Sequence, residues 1–344
     1  MRDRFLKACR REPVDTTPVW FMRQAGRSQP QYLALRQRHT LIDICMRPDL
    51  CAEVTLSPLH DLGVDAVVMF ADIMLPVKSM GVAFELADGG PRIGRPVRTA
   101  EDVQALRRFQ IDELTASVLE AIRLVRAASP VPVIGFSPAP FTLASYLIEG
   151  GPSRDYVLTK QVMVAGDRAW DMLMDLLTDM AIGYLRAQIA AGVHAVQLFD
   201  SWVGCLHPED YRRKVAPYSR RIFEALASAG VPTIHFGTGT GGLLEDLAAA
   251  GGDVIGVDWR IDLDAAWRQV GPAKGIQGNL DPAVLLAGDE VLREKVDLIM
   301  RQAAGRPGHI FNLGHGVLPQ TDRARLRQVV DVVHAARPVA GEPA

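Results

Sequence analysis

The chain has 344 residues, and its 38 Lys and Arg nearly balance its 40 Asp and Glu, so the formal net charge is -2. Apolar residues make up 48% and charged residues 23%, a composition that excludes a disordered chain and is ordinary for an enzyme. The charge balance also excludes a general basic surface for nucleic acid.

The cysteines and the hydropathy pattern do not indicate secretion or membrane insertion. The four cysteines form no C-x-x-C pair and are expected to be reduced thiols. The N-terminal segment MRDRFLKACRRE lacks the apolar stretch of a signal peptide. The longest uncharged run, 127–148, contains four prolines, which would remove helical hydrogen bonds that lipid cannot replace. We therefore expect a soluble, cytoplasmic protein with no membrane partner.

Short apolar runs bounded by Pro or Gly alternate with longer amphipathic stretches along the chain. Uninterrupted apolar runs are typical of strands that are buried on both faces of a parallel sheet. The predicted strands are 19–22, 66–70, 131–136, 195–199, 231–236, 254–259, 274–278 and 309–313. The predicted helices are 51–62, 115–127, 162–191, 208–229, 242–250 and 322–336.

Eight strands separated by helical stretches predict a (β/α)8 TIM barrel. The Gly- and Pro-rich stretch 81–98 is predicted to form an excursion after the second strand. No composition shift marks a linker, so residues 1–344 are expected to form one catalytic domain. We expect 1–15 and 337–344 to be peripheral or frayed.

Polar residues that follow barrel strands are candidate site residues, because barrel enzymes carry their chemistry on these loops. Arg23 and Arg27 follow the first strand, within Met22-Arg23-Gln24-Ala25-Gly26-Arg27. They form a fork that suits carboxylates, since guanidinium binds carboxylate in a bidentate manner. The alternative interpretation is a pair of surface ion bridges.

Asp72 follows the second strand among apolar neighbours, where burial would raise its pKa unless cations or N–H donors offset it. This carboxylate could be a general acid, a base or an acceptor for substrate N–H groups, or simply a helix N-cap. Tyr146, Ser201 and His315 follow the third, fourth and eighth strands, and His315 has glycine on both sides. A Ser201–His315–Asp hydrolase triad is conceivable, but no G-x-S-x-G motif surrounds the serine.

Two further patterns give competing hypotheses. Residues 237–242 match G-x-G-x-x-G between a strand and a helix, with Asp258 at the end of the next strand, which predicts dinucleotide binding. This motif lies two-thirds along the chain and leaves most strand-end residues without a role, so a Gly-rich barrel loop is the alternative. His235, Cys205 and His207 are possible metal ligands, but no pair has ordinary zinc spacing with an evident third ligand.

The segment from Pro18 to Arg27, PVWFMRQAGR, closely resembles the N-terminal signature of the uroporphyrinogen decarboxylase family. Residues 135–143, followed by Tyr146, resemble that family's second signature. Further similar segments are 70–73, 197–201, 256–259, 277–282 and 312–316, in the family's order along nearly the whole chain. One departure is Pro138, where the family more often has glycine, so the backbone of this loop is expected to differ locally.

The resemblance implies a homodimeric (β/α)8 barrel that removes the four acetate carboxylates of uroporphyrinogen III, giving coproporphyrinogen III. It implies no metal, no organic cofactor and no nucleic-acid partner. By resemblance, Asp72 accepts the pyrrole N–H groups and stabilises a cationic intermediate, while Arg23 and Arg27 bind carboxylates and assist catalysis. The residues implied to bind the tetrapyrrole are Arg23, Gln24, Ala25, Gly26, Arg27, Asp72, Tyr146, Ser201 and His315.

Two alternatives to this activity remain at the level of the sequence. Zinc-dependent methyltransferases share the fold but use a His-x-Cys pair, which His235-Phe236-Gly237 lacks. A non-catalytic porphyrin-binding protein is the other alternative, and retention of the arginines with Asp72 and Tyr146 argues against it.

Overall fold

Seven parallel strands form the wall of a barrel in this computed structural model, which describes residues 1–87, 89–166 and 168–336. They lie in the order β1-β4-β5-β6-β7-β8-β9, so each strand pairs with the sheet strand that follows it along the chain. The sheet strands are β1 (Val67–Val68), β4 (Val133–Pro138), β5 (Ala195–Asp200), β6 (Thr233–Gly237), β7 (Val254–Gly256), β8 (Gly275–Leu280) and β9 (His309–Leu313). This arrangement confirms the predicted TIM-barrel class.

The first predicted strand, 19–22, is reduced to a single parallel bridge between Val19 and Phe311 of β9. Phe311 N–H donates to the Pro18 carbonyl at 2.9 Å, and on the other side Asp65 N–H donates to the Val19 carbonyl at 2.8 Å. This segment therefore occupies the position between β9 and β1 and closes the barrel. The strand does not continue because the chain turns after Phe21, where Gln24 N–H donates a hydrogen bond to the Phe21 carbonyl at 3.0 Å.

Helices surround the barrel; the helix Pro140–Glu149 is buried nearly all round, whereas others bury one face. In α7 the buried side chains include Leu114, Val118, Ile122 and Val125, whose spacing of three or four residues places them on one side of the helix. The helices are α1 (Arg4–Cys9), α2 (Pro30–Arg36), α3 (Leu41–Cys45), α4 (Pro48–Leu62), α5 (Leu75–Ser79), α6 (Ala100–Gln104), α7 (Glu113–Ala128), α8 (Pro140–Glu149), α9 (Val157–Val164), α10 (Arg168–Ala191), α11 (Pro208–Lys214), α12 (Ala216–Leu226), α13 (Leu244–Ala250), α14 (Leu263–Val270), α15 (Asp289–Ala303) and α16 (Arg323–Ala335). Short 3-10 helices lie at Val203–Cys205 and Pro282–Leu286.

Two of the predicted helices are each two helices in the structure. The stretch 208–229 is interrupted at Val215, because Pro217 is tolerated only in the first turn of a helix and α12 begins beside it. The stretch 162–191 is divided between α9 and α10, and Gly166 between them has a φ of 73°. Both differences reflect residues that disfavour helix interiors, which hydrophobic periodicity alone does not register.

The excursion predicted at 81–98 is an antiparallel hairpin of β2 (Phe84–Ala87) and β3 (Gly90–Ile93). Its backbone is joined to the end of α8, since Ile93 N–H donates to the Gly150 carbonyl and Val97 N–H to the Leu147 carbonyl, both at 2.9 Å. The hairpin therefore supports the helix that carries Tyr146.

The expectation of a peripheral or frayed N-terminus is corrected for α1. Phe5 and Ala8 are fully buried, and the helix packs against β9. Arg4 also pairs with the buried Asp65 at 3.2 Å. The segment 337–344, also expected to be frayed, lies outside the described residues. Within the described chain, the helices are too short or too polar to cross a membrane.

Candidate active site

One cleft at the C-terminal ends of the strands brings most of the predicted site residues together. It holds about 1290 Å³ of space, including its open mouth. The predicted residues that line it are Arg23, Ala25, Gly26, Arg27, Asp72, Tyr146, Ser201 and His315. Parallel strands deliver their following loops to the same end of a barrel, which is why residues so distant in sequence meet here.

Arg23 and Arg27 lie on a tight loop, and their side chains are exposed to the cleft. Within the described chain, no Asp or Glu oxygen lies within 4.0 Å of either guanidinium, so the alternative of two surface ion bridges is wrong. Burial lowers the pKa of Arg23 and the neighbouring Arg27 adds to this effect, whereas Tyr146 and Asp72 oppose it. Two uncompensated cations on one wall are suited to a ligand with several carboxylates.

The Asp72 carboxylate is oriented by its own loop. Its Oδ1 accepts a hydrogen bond from Met74 N–H at 2.8 Å. Met74, not Asp72, is the N-cap of α5, so the interpretation of Asp72 as a helix cap is not supported. Burial raises the pKa of Asp72, while the Met74 N–H, Arg23 and Arg27 act in the opposite direction. Its Oδ2, unpartnered among the described residues, is free to accept a donor from a ligand.

His315 is held as a neutral donor. Burial, with Arg23 and Arg260 nearby, lowers the pKa of His315 to about 4, and Asp258 opposes this shift. Gly316 N–H donates to Nδ1 at 2.7 Å, so the proton of the neutral imidazole is on Nε2. The ring can therefore donate one hydrogen bond to an acceptor in the cleft.

Tyr146 lies in an aromatic group beside Ser201. Its ring packs edge-on against Trp202, with the two ring centroids 6.3 Å apart. The Trp202 ring in turn packs against Tyr156, with a centroid distance of 6.0 Å. Burial raises the pKa of Tyr146, and a hydrogen bond with the Trp202 side chain opposes this. Ser201 also lines the cleft, and its carbonyl accepts a hydrogen bond from the Thr238 hydroxyl.

Gln24 is the one predicted binding residue that does not line the cleft. Its side chain is fully buried, with Oε1 accepting from Phe21 N–H and Nε2 donating to the Ala66 carbonyl, both at 3.0 Å. Both ends of the amide are thus used to hold the arginine loop against β1. The expected direct role is corrected to a structural one.

Sequence reasoning missed the aromatic floor of the cleft. Phe199 packs edge-on against Phe136 and Phe236, with ring-centroid distances of 5.5 Å and 5.8 Å, respectively. These residues come from the neighbouring strands β5, β4 and β6, and all three line the cleft. A phenylalanine near the end of three successive predicted strands was the available signal. The floor is apolar while the wall is cationic, which suits a large ring carrying carboxylates.

The glycine-rich loop at 237–242 hydrogen-bonds to, and packs against, other parts of the chain. Gly239 N–H donates to Asp258 Oδ2 at 2.6 Å, and Arg260 pairs with the same oxygen. A Cβ on Gly204 would lie 2.1 Å from the Thr238 carbonyl oxygen, so the loop packs directly on the chain that follows Ser201. The Asp258 carboxylate therefore serves this loop, which favours a Gly-rich barrel loop over a dinucleotide site.

The candidate metal ligands are dispersed. His235 is fully buried, with Nε2 3.8 Å from Asp200 Oδ2 and its ring 5.0 Å from Phe223. His207 caps α11, its Nδ1 accepting from Glu209 N–H at 3.2 Å. Throughout 1–87, 89–166 and 168–336, no three His, Cys, Asp or Glu side chains come together as a metal site.

Comparison with known proteins identifies the family of the chain. The model of the family "Uroporphyrinogen decarboxylase (URO-D)" matches residues 1–336. The chain is 53% identical over 338 residues to a uroporphyrinogen decarboxylase of Sorangium cellulosum, covering 97% of each protein. It is 52% identical to that of Carboxydothermus hydrogenoformans, covering 97% of this chain and 96% of the relative.

Among solved structures, a methyltransferase from Methanosarcina mazei superposes with a TM-score of 0.75 at 20% identity, covering 96% of this chain and 97% of that one. This likeness concerns the fold alone. The family match and the two relatives, by contrast, extend over the arginine loop and every residue of the cleft. The chain belongs to the uroporphyrinogen decarboxylase family.

Proposed function

We propose that this chain is a carboxy-lyase that converts the four acetate side chains of uroporphyrinogen III to methyl groups, giving coproporphyrinogen III and four CO2 in heme biosynthesis. The observation that carries the proposal is one cleft that holds an aromatic floor, two arginines that form no ion pair among the described residues, and the Asp72 carboxylate, which accepts a hydrogen bond at one of its two oxygens. A tetrapyrrole has the matching features, an apolar ring system with pyrrole N–H groups at its centre and carboxylates at its edge.

The chemistry uses the substrate's own pyrrole as the electron sink. Protonation of a ring carbon produces an iminium-like cation. Cleavage of the bond between the acetate CH2 and its carboxylate then releases CO2, and the bonding pair neutralises the cation as an exocyclic methylene. A second proton converts that methylene to a methyl group and regenerates the cation. Loss of the first proton from the ring carbon then restores the pyrrole, so each cycle exchanges one CO2 for one proton.

Asp72 would stabilise the cationic ring. An ionised carboxylate held next to developing positive charge acts by electrostatic preorganisation, which is frequently the largest catalytic effect. Burial raises the pKa of this group. Pyrrole N–H groups that donate to Oδ2 would favour the ionised form, because hydrogen bonds to a charged form stabilise it. Substrate binding and activation of Asp72 are therefore coupled in this proposal.

The remaining cleft residues would hold the edge of the ring. Arg23 and Arg27 would bind substrate carboxylates, and one of them could assist proton transfer. The Nε2–H of His315 and the hydroxyls of Tyr146 and Ser201 would donate hydrogen bonds to further oxygens. Their support is position and hydrogen-bonding state in the same cleft.

The direct test is anaerobic incubation of purified, chelator-treated protein with uroporphyrinogen III, followed by oxidation and chromatography of the porphyrins. Stepwise appearance of products lacking one to four carboxylates is expected, ending at coproporphyrin. No conversion by folded protein, with the substrate verified as reduced, would refute the proposal. Zinc and thiol supplementation would then test the methyltransferase alternative, which shares the fold.

We also propose that the enzyme acts as a cytoplasmic homodimer with one barrel domain per chain, as the family resemblance implies. Sedimentation equilibrium of the purified protein would test the oligomeric state. A concentration-independent monomer mass would contradict the dimer while leaving the proposed activity intact.

A further inference from the structure

Arg323 is a buried cation outside the cleft lining. It is the first residue of α16, and its side chain is 12% exposed. Nη1 donates to the Gln24 carbonyl at 3.0 Å, and Nη2 lies 3.3 Å from Asp61 of α4. The guanidinium therefore bridges the arginine loop to a helix behind the barrel wall.

Burying the Arg323 guanidinium at this position costs free energy. Removing a guanidinium from water costs several kcal/mol, and burial lowers the pKa of Arg323 accordingly. Its Nε and Nη2 find no acceptor in hydrogen-bonding geometry among the described residues. A cation in the first turn of a helix also opposes the helix dipole. A simple surface ion pair with Asp61 would need none of these costs, so the position of the group requires another reason.

The reason lies in the loop that it contacts. Arg23 has a φ of 63°, a left-handed conformation that is unfavourable for residues other than glycine. Such a conformation persists only when the surroundings determine it. On one side, the Met22 carbonyl accepts from Val317 N–H at 2.8 Å. On the other, the Gln24 side chain is anchored at both ends and the Gln24 carbonyl accepts from Arg323.

We infer that Arg323 is a positioning residue: by fixing the Gln24–Ala25 peptide between Arg23 and Arg27, it holds both guanidinium groups where they meet a substrate carboxylate. The inference rests on the proposed function, since it assumes that these two arginines bind substrate. Arg323 itself is not a catalytic residue, because it lies outside the cleft lining.

The test compares steady-state kinetics of Arg323→Gln with Arg327→Gln, a matched control on the same helix. Arg327 is about half exposed and pairs with Asp331 at 3.0 Å. We expect Arg323→Gln to raise KM about tenfold, equivalent to about 1.4 kcal/mol, with a smaller change in kcat. Arg323→Lys, which keeps the charge but loses the planar fork, should fall between this variant and the wild type. Arg327→Gln should match the wild type.

A double-mutant cycle separates positioning from general destabilisation. If Arg323 acts through Arg23, its substitution should raise KM threefold or less in an Arg23→Ala background. Full additivity, or an unchanged KM in Arg323→Gln, would overturn the inference. If Arg23→Ala itself has normal kinetics, the proposed function of the arginine loop fails instead.

A second variant covers the case in which the glutamine variant does not fold. Arg323→Leu removes the donor without leaving a buried amide unpaired, and the Asp61 carboxylate that loses its partner is 29% exposed, so water can solvate it. The same tenfold rise in KM is expected of it. A wild-type KM in folded Arg323→Leu would equally overturn the inference.

Discussion

Gly316 lies directly against the Arg23 side chain, which makes it a sensitive test of the arginine loop. A Cβ at this position would be 2.4 Å from Arg23 Cδ and 2.7 Å from Cγ. These distances are about 1 Å short of ordinary contact, so the middle of the arginine side chain must move in Gly316→Ala. A misplacement of about 1 Å at a binding group can cost about 10²-fold in rate. We therefore expect kcat/KM to fall by about two orders of magnitude.

The assay is initial-rate decarboxylation under anaerobic conditions, with the unfolding midpoint of each variant measured in parallel. Gly242→Ala is the matched control, because a Cβ at Gly242 meets no atom within 4 Å. It should leave kcat/KM unchanged within about twofold, as surface substitutions generally do. A folded Gly316→Ala enzyme with wild-type kcat/KM would show that the position of Arg23 does not limit substrate binding.

Three further predictions concern the cleft residues and the buried His309. Asp72→Asn should lower kcat about 10²- to 10³-fold and raise the thermal midpoint at pH 7. The raised pKa of Asp72 in the folded state means that the fold favours its protonated form. This contribution to stability is present at low pH and is lost as pH rises through that pKa. A near-normal kcat in Asp72→Asn would contradict the catalytic role of Asp72. Arg23→Ala and Arg27→Ala should each raise KM more than Arg123→Ala, whose side chain is 57% exposed on α7; equal effects would argue against a carboxylate fork. Burial lowers the pKa of His309 to about 4 from 6.5, so its contribution to stability is complete above pH 6.5 and is lost as pH falls toward 4. In urea unfolding, the pH slope of the free energy of unfolding in this range should be smaller in His309→Gln than in the wild type by up to about 1.4 kcal/mol per pH unit, while the slope contributed by His315 remains.

The cleft combines opposite charges that do not neutralise each other. In the described chain, neither cleft arginine forms an ion pair with Asp72, although both lower its pKa through space. The apolar floor of Phe136, Phe199 and Phe236 lines the same cleft. Charges beside an apolar surface interact more strongly with a ligand than they would in water. The cleft therefore offers a ligand cationic, anionic and apolar groups together.

The sequence by itself determined the barrel class, the order of its elements and most of the cleft. Apolar runs spaced by helices predict parallel strands, and parallel strands place Arg27, Asp72, Tyr146 and Ser201 at one end without further information. Helix interruptions at Pro217 and Gly166 were missed because the hydrophobic period continues across them.

Only the tertiary structure decided what individual polar groups do. Gln24 is adjacent in sequence to two cleft residues, yet both ends of its side-chain amide are hydrogen-bonded to the backbone of Phe21 and Ala66. Arg323 lies 299 positions after Gln24 in the sequence, but its guanidinium donates a hydrogen bond to the Gln24 carbonyl. The proton on His315 is placed by the Gly316 N–H. The bonds of Gln24 with Ala66 and Arg323 join distant segments, and all of these bonds depend on side-chain and backbone geometry that no local pattern of residue types encodes.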